Sequence, residues 1–281
     1  MASRLPRSTG GWKRPAQRVL LVLALVYAVA LVGAWTFQRD LIYHPVALAG
    51  PVEQPGRSAG EVVSFPSGDG VRITALYVPP RGVGAPVVLV AHGNEGNLLT
   101  WRGFLDPFRA LGLGAFLLDP RGYGWSEGSP SEEGWHRDGE ASLSWLSSHG
   151  IPPSRVIVVG VSLGSGIAVP LAAEHPVLAL LLESPFTSLL DAASDAFPFL
   201  PCAWILRDRF DNLGAAPRVR CPVLILHGTA DRTISPDHSR RLAAAFPTPA
   251  TLRLVEGADH NDLTAWPGYD DALTEFLRSL P

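Results

Sequence analysis

The chain is poor in cysteine, methionine and lysine: its 281 residues hold two cysteines (Cys202 and Cys221), one methionine and one lysine, Lys13. Two such cysteines form neither a zinc-binding pattern nor a disulfide framework, which excludes a zinc module and a small disulfide-stapled fold. Positive charge is also scarce, with 23 basic against 26 acidic residues. Five of the basic ones (Arg4, Arg7, Lys13, Arg14, Arg18) precede residue 19, a stretch without a single acid. The body of the chain is therefore acidic, and no nucleic acid is expected as a partner. Internal repeats and low-complexity segments are absent as well, which leaves an ordinary folded chain long enough for one large domain.

What the chain does have is apolar surface, 47% of its residues. Val19 to Phe37 carries no charge, and nineteen helical residues at about 1.5 Å each approach the hydrocarbon thickness of a bilayer. Trp35 and Phe37 stand at its far end, where aromatic side chains favour the interface. The basic cluster before it predicts a single-pass membrane helix over 19–37, with residues 1–18 cytoplasmic and everything later on the extracytoplasmic side. Ala28-Val29-Ala30 also fits a signal-peptide cleavage site. The apolar run continues past it with no polar region between, which favours an uncleaved anchor.

Residues 38–60, with their prolines and glycines, read as a juxtamembrane linker, and 61–281 as one folded domain. Glu61 to Phe65 and Val71 to Val78 flank the turn signal Ser67-Gly68-Asp69-Gly70 and predict a hairpin. Five short runs are apolar at nearly every residue: Val87 to Ala91, Ala115 to Leu118, Val156 to Val161, Leu178 to Leu182 and Val223 to Leu226. Helix-length segments separate them, so an α/β fold with a mostly parallel sheet covered on both faces is expected. Ligands in such sheets collect at the carboxyl ends of the strands.

At one of those ends stands Gly160-Val161-Ser162-Leu163-Gly164, a G-x-S-x-G turn between a β-branched run and a helix-compatible one. In this strand–turn–helix the serine hydroxyl is lifted clear of the sheet, and the Leu163 backbone N–H faces a developing oxyanion. His92-Gly93-Asn94-Glu95 ends another strand, and the Asn94 N–H is the expected second donor. Asp231 comes after the strand ending at Leu226, and His260 sits in Gly257-Ala258-Asp259-His260 after the last strand. Serine at its free pKa is a poor nucleophile; an imidazole must take its proton and a carboxylate must orient that imidazole. Ser162, Asp231 and His260 occur in the chain order Ser…Asp…His, each behind a strand. Glu183 is the alternative acid, read more readily as a paired structural carboxylate. No metal and no organic cofactor is required.

On these motifs the sequence resembles the α/β-hydrolase superfamily, and within it the membrane-anchored hydrolase-domain proteins. Phe37 to Pro45, His92-Gly93-Asn94, Asp119 to Gly124, Gly160 to Gly164, Glu183 to Phe186, Phe210 to Leu213 and Gly257 to Asp262 all fall where that family has its signatures. The resemblance implies hydrolysis of carboxylic esters, with some relatives acting on lipids or thioesters and others classed with serine aminopeptidases. A non-catalytic membrane interaction protein on a hydrolase scaffold is disfavoured, because all three triad positions are filled. Glu95 departs from the family's usual small residue and is a candidate substrate contact, as are Tyr123 and Phe186. A short lid over about 187–220 is expected to line the acyl site with Phe197 and Trp204. The expected substrate is a small-molecule or lipid acyl ester.

Overall fold

The computed structural model describes residues 13–54 and 60–280; Arg4 and Arg7 lie outside them. The elements in chain order are α1 (Lys13–Ile42), β1 (His44–Pro45), β2 (Glu61–Pro66), β3 (Arg72–Val78), β4 (Val87–Ala91), β5 (Glu95–Gly96), α2 (Leu98–Trp101), α3 (Asp106–Ala110), β6 (Gly114–Asp119) and α4 (Glu132–Ser148). The chain continues through β7 (Val156–Val161), α5 (Ser165–Glu174), β8 (Ala179–Glu183), α6 (Leu189–Ala196), α7 (Cys202–Ile205), α8 (Asn212–Ala215), β9 (Val223–Gly228), α9 (Pro236–Ala245), β10 (Thr251–Val255) and α10 (Tyr269–Arg278).

Eight strands form one sheet in the order β10-β9-β8-β7-β4-β6-β3-β2. The expected hairpin is β2–β3, antiparallel with Glu61 opposite Tyr77, and β3 is antiparallel to β6. From β6 to β10 every neighbouring pair is parallel. The uniformly apolar runs are explained by period-2 alternation into two cores. Leu89, Val158, Leu180 and Ile225 pack with Trp135, Leu143 and Ile167 on one face, while Val88, Val90, Val159 and Leu181 pack with Phe108, Leu273 and Phe276 on the other. Neither face is left for polar residues.

Two segments differ in extent from the bounds read in the sequence. The N-terminal helix does not stop at Phe37 but runs to Ile42, and Pro15–Ile42 is long and apolar enough to cross a membrane. Residues 43–48, expected to belong to a linker, are instead pinned to the domain. Tyr43 is buried, β1 pairs with β5, and the Leu48 and Gly124 amides tie residues 46–48 to the loop after β6. Polar groups at Gln38, Arg39 and Tyr43 find partners in the distant segment 205–208, which local sequence pattern does not reveal. The run expected to form a lid, 187–220, folds as three short helices α6 to α8, and Phe210 within it is buried.

Candidate active site

Strand β7 delivers its chain into a turn with little room. Ser162 has φ +49, one of three non-glycine residues with positive φ among the described residues. That conformation costs a non-glycine residue about 1 kcal/mol or more, and persists where surrounding packing holds it. The packing is visible at the flanking glycines. A Cβ on Gly164 would lie 2.0 Å from the Ala91 carbonyl oxygen, and one on Gly160 would lie 2.6 Å from the Ala168 Cβ. Only glycine lets the helix start nest against the end of β4. A Cβ on Gly93 would lie 3.8 Å from that of Ser162, so the turn carrying Asn94 borders the serine.

The sequence-expected triad residues are brought together in one hydrogen-bonded line. Ser162 Oγ donates to His260 Nε2 at 2.9 Å, and His260 Nδ1 donates to Asp231 Oδ2 at 2.7 Å. The imidazole is largely covered and the Asp231 carboxylate is fully buried. Asp231 Oδ1 accepts the Thr233 and Ile234 amides, each at 2.8 Å. Burial alone would raise the Asp231 pKa, but hydrogen bonds from His227, His260 and the Ile234 N–H outweigh it and hold the group well below the usual carboxylate range. It is ionised at neutral pH, as an orienting carboxylate must be.

Sequence reasoning missed His227. Its Nε2–H faces both the Ile234 carbonyl at 2.9 Å and Asp231 Oδ2 at 3.1 Å, while Nδ1 accepts from Ser239 Oγ. Asp231 thus receives two imidazoles. The signal was the i, i+4 spacing of His227 and Asp231 across a turn just behind a core strand. Asp259 completes the frame: it accepts the Arg232 and His260 amides and pairs with the Arg232 guanidinium, tying the two loops together. Arg232 is exposed, so the pair itself contributes little stability.

Glu183 is not part of the line. It is buried and accepts from the Tyr269 hydroxyl. Burial pushes its carboxyl up to about 7 against the opposing bond from Tyr269. A carboxyl with a higher pKa folded than unfolded stabilises the fold fully below about 4.5, and that contribution is lost as pH rises through about 7. Glu183→Gln, which keeps an acceptor for Tyr269 and cannot ionise, is therefore expected to gain on the wild-type protein by about 3 kcal/mol across that window. Urea unfolding at several pH values measures this; a difference constant with pH contradicts it.

The expected substrate contacts fare differently. Tyr123 is fully buried, packed edge-on between His92 and Trp135, with its hydroxyl bonded to the Asn94 carbonyl at 2.8 Å. It braces the turn from behind and does not border a pocket. Phe186 is core, and its carbonyl accepts from Asn212. Phe197 and Trp204 are exposed, Trp204 to 89%, so they line no enclosed site. Sequence pattern does not separate these positions, because aromatic residues near a site suit core, surface and pocket equally until packing is known. Glu95 is exposed beside the Asn94 turn. The Asn94 side chain turns away to the Ile42 carbonyl. His92 and Asp119, both fully buried, form a further brace, and Asp119 also accepts the Leu98 amide that starts α2.

Comparison with known proteins agrees with this architecture. Residues 86–204 match the family model for the alpha/beta hydrolase fold. An uncharacterized protein of Mycobacterium tuberculosis, Rv2307c, is 36% identical over 263 residues, 92% of this chain and 94% of that one. Human alpha/beta hydrolase domain-containing protein 17B is 34% identical over 215 residues, covering 74% of this chain and 72% of its own. Among solved structures, the Pyrococcus furiosus esterase Pf2001 superposes with a TM-score of 0.69 at 18% identity, over 84% of this chain and 99% of that one. A hydrolase of Pseudomonas aeruginosa does so with a TM-score of 0.59 at 19% identity, over 78% and 99%. These two likenesses concern the fold. The sheet order, the strained serine turn and the sequence relatives together place the chain in the α/β-hydrolase family.

Proposed function

We propose that the protein is a membrane-anchored serine hydrolase that cleaves carboxylic esters or thioesters of acyl type. The observation that carries this reading is the unbroken line from Ser162 Oγ through His260 to the buried, ionised Asp231. His260 Nε2 takes the serine proton as Oγ attacks the carbonyl carbon, and Asp231 stabilises the resulting imidazolium. The Asn94 and Leu163 amides hold the oxyanion of the tetrahedral intermediate. Collapse expels the alcohol or thiol, which takes the proton from His260 and leaves an acyl-serine. Water then attacks the acyl-serine, giving its proton to His260, and the acid departs as that proton returns to Ser162. The esterase named among the structural neighbours is in keeping with this chemistry. The apolar helix supports a membrane anchor, and the basic residues ahead of it favour a catalytic domain on the extracytoplasmic side.

Glu95, an exposed carboxylate beside the Asn94 turn, disfavours anionic substrates and would suit the amino terminus of an aminopeptidase substrate. Comparing p-nitrophenyl acyl esters with aminoacyl p-nitroanilides separates the two activities. The esters are expected to exceed the anilides in kcat/KM by more than about 100-fold. The reverse order would assign a peptidase.

A further inference from the structure

Helix α1 is tied to the segment 199–208 by a series of contacts, with Phe199 reaching the middle of the helix and residues 205–208 meeting its end. Tyr27 Oη donates to the Phe199 carbonyl at 2.8 Å. Further along, the Arg207 guanidinium stands 4.0 Å over the Trp35 ring. Gln38 donates to the Ile205 carbonyl and accepts the Arg207 amide. At the end of the helix, Arg39 and Tyr43 both reach the buried Asp208 carboxylate. Along α1, Leu31, Ala34, Gln38 and Ile42, three or four residues apart, are partly or fully covered, whereas most of the helix is exposed.

Both segments change character at the same height. On α1 the apolar run ends at Phe37, and Gln38, Arg39 and Asp40 follow it. On the lid, Phe197, Phe199 and Trp204 are exposed to 49, 67 and 89%, and Arg207, Asp208 and Arg209 come next in the chain. Trp35 with Arg207 marks the boundary, an aromatic and a long basic side chain of the kind that settles at a headgroup surface. Tyr27 lies eight residues before Trp35, which is about 12 Å along a helix. Its partner Phe199 therefore lies about that far on the apolar side of the boundary. At such a depth a lone hydroxyl and a lone carbonyl would each lack a partner, and here they satisfy one another.

We propose that the lid tip, Phe197 to Trp204, inserts into the same bilayer leaflet that α1 crosses, making the lid a second, shallower membrane contact. The occupant of this exposed apolar face is lipid because the face continues the exposed apolar surface of α1, whose residues Leu20, Leu21, Leu23, Leu25 and Val26 are themselves more than half exposed. The proposal rests on the membrane-anchor reading and is independent of the catalytic one. Arg39 and Asp208 fix the depth by joining helix and lid at the polar boundary.

Depth-dependent quenching tests it on the full chain. Cys202 and Cys221 are buried, so single substitutions Leu23→Cys, Phe199→Cys and Val83→Cys can carry a nitrobenzoxadiazole label, with unsubstituted protein as the labelling blank. Val83 is fully exposed in the turn before β4, at the end of the sheet opposite the site. In phosphatidylcholine–phosphatidylglycerol vesicles containing spin-labelled phosphatidylcholine, the labels at 23 and 199 are each expected to lose roughly half their emission or more, and the label at 83 almost none. Quenching at 23 without quenching at 199 overturns the lid insertion and leaves the anchor standing. Absence of quenching at 23 removes the anchor and the proposal with it. Equal quenching at all three means adsorption of the whole domain and overturns it too. Unquenched Phe199→Cys that oxidises to a disulfide between copies would assign the face to a second molecule of this chain.

Discussion

Ser162→Ala is expected to lower kcat/KM on any ester substrate by about 10⁵- to 10⁶-fold, the loss seen when a triad nucleophile is removed. The hydroxyl bonds to His260 and is partly exposed at the turn, so its loss removes the nucleophile while the surrounding packing stays in place. That packing belongs to Gly160, Gly164, Ala168 and the Ala91 carbonyl, and alanine keeps the Cβ that the turn already accommodates. The fold is therefore expected to remain, with melting temperature close to wild type. Turnover of a p-nitrophenyl ester by both proteins, alongside thermal unfolding, checks this. Retained activity in the alanine variant would move the chemistry to another residue.

Asp231→Asn is the second large effect, and its cause is a tautomer. In the native protein His260 Nδ1 carries the proton donated to Oδ2, leaving the Nε2 lone pair for the serine. An amide at 231 keeps its carbonyl oxygen on the Thr233 and Ile234 amides and turns its NH2 toward His260. Nδ1 must then accept, the proton moves to Nε2, and no lone pair faces Ser162. A fall in kcat/KM of about 10³- to 10⁴-fold is expected. The same NH2 also meets the Nε2–H of His227, a clash of two donors that costs about 1–2 kcal/mol of stability. Kinetics and urea unfolding of the variant measure both effects. A loss under tenfold would show that the carboxylate does not set the imidazole's proton.

The sheet was legible from residue pattern because its five central strands, β4 and β6 to β9, are buried on both faces and alternate with helices, a repeat that few other architectures produce. The triad was legible for a related reason: strand ends in such a sheet converge on one edge, so chain order and strand-end position select Ser162, Asp231 and His260 from many serines, aspartates and histidines. Packing was not legible. Tyr123 and Phe186 are core because of what covers them, and no local pattern reports that. The course of residues 38–45 was hidden for the same reason: Gln38, Arg39 and Tyr43 look like ordinary juxtamembrane polar residues until residues 205–208, more than 160 positions later, are placed beside them. His227 went unremarked because a histidine closing a buried strand is usually a satisfied core residue; here it is satisfied by the carboxylate that orients His260.

The most direct test is covalent. Treating the full-length protein with a fluorophosphonate and mapping the adduct by peptide mass spectrometry should yield one phosphonylated residue, Ser162, with labelling abolished by the alanine substitution there. An intact, folded protein that takes no label, or that carries it on another residue, would contradict the claim that Ser162, His260 and Asp231 form a working nucleophilic centre.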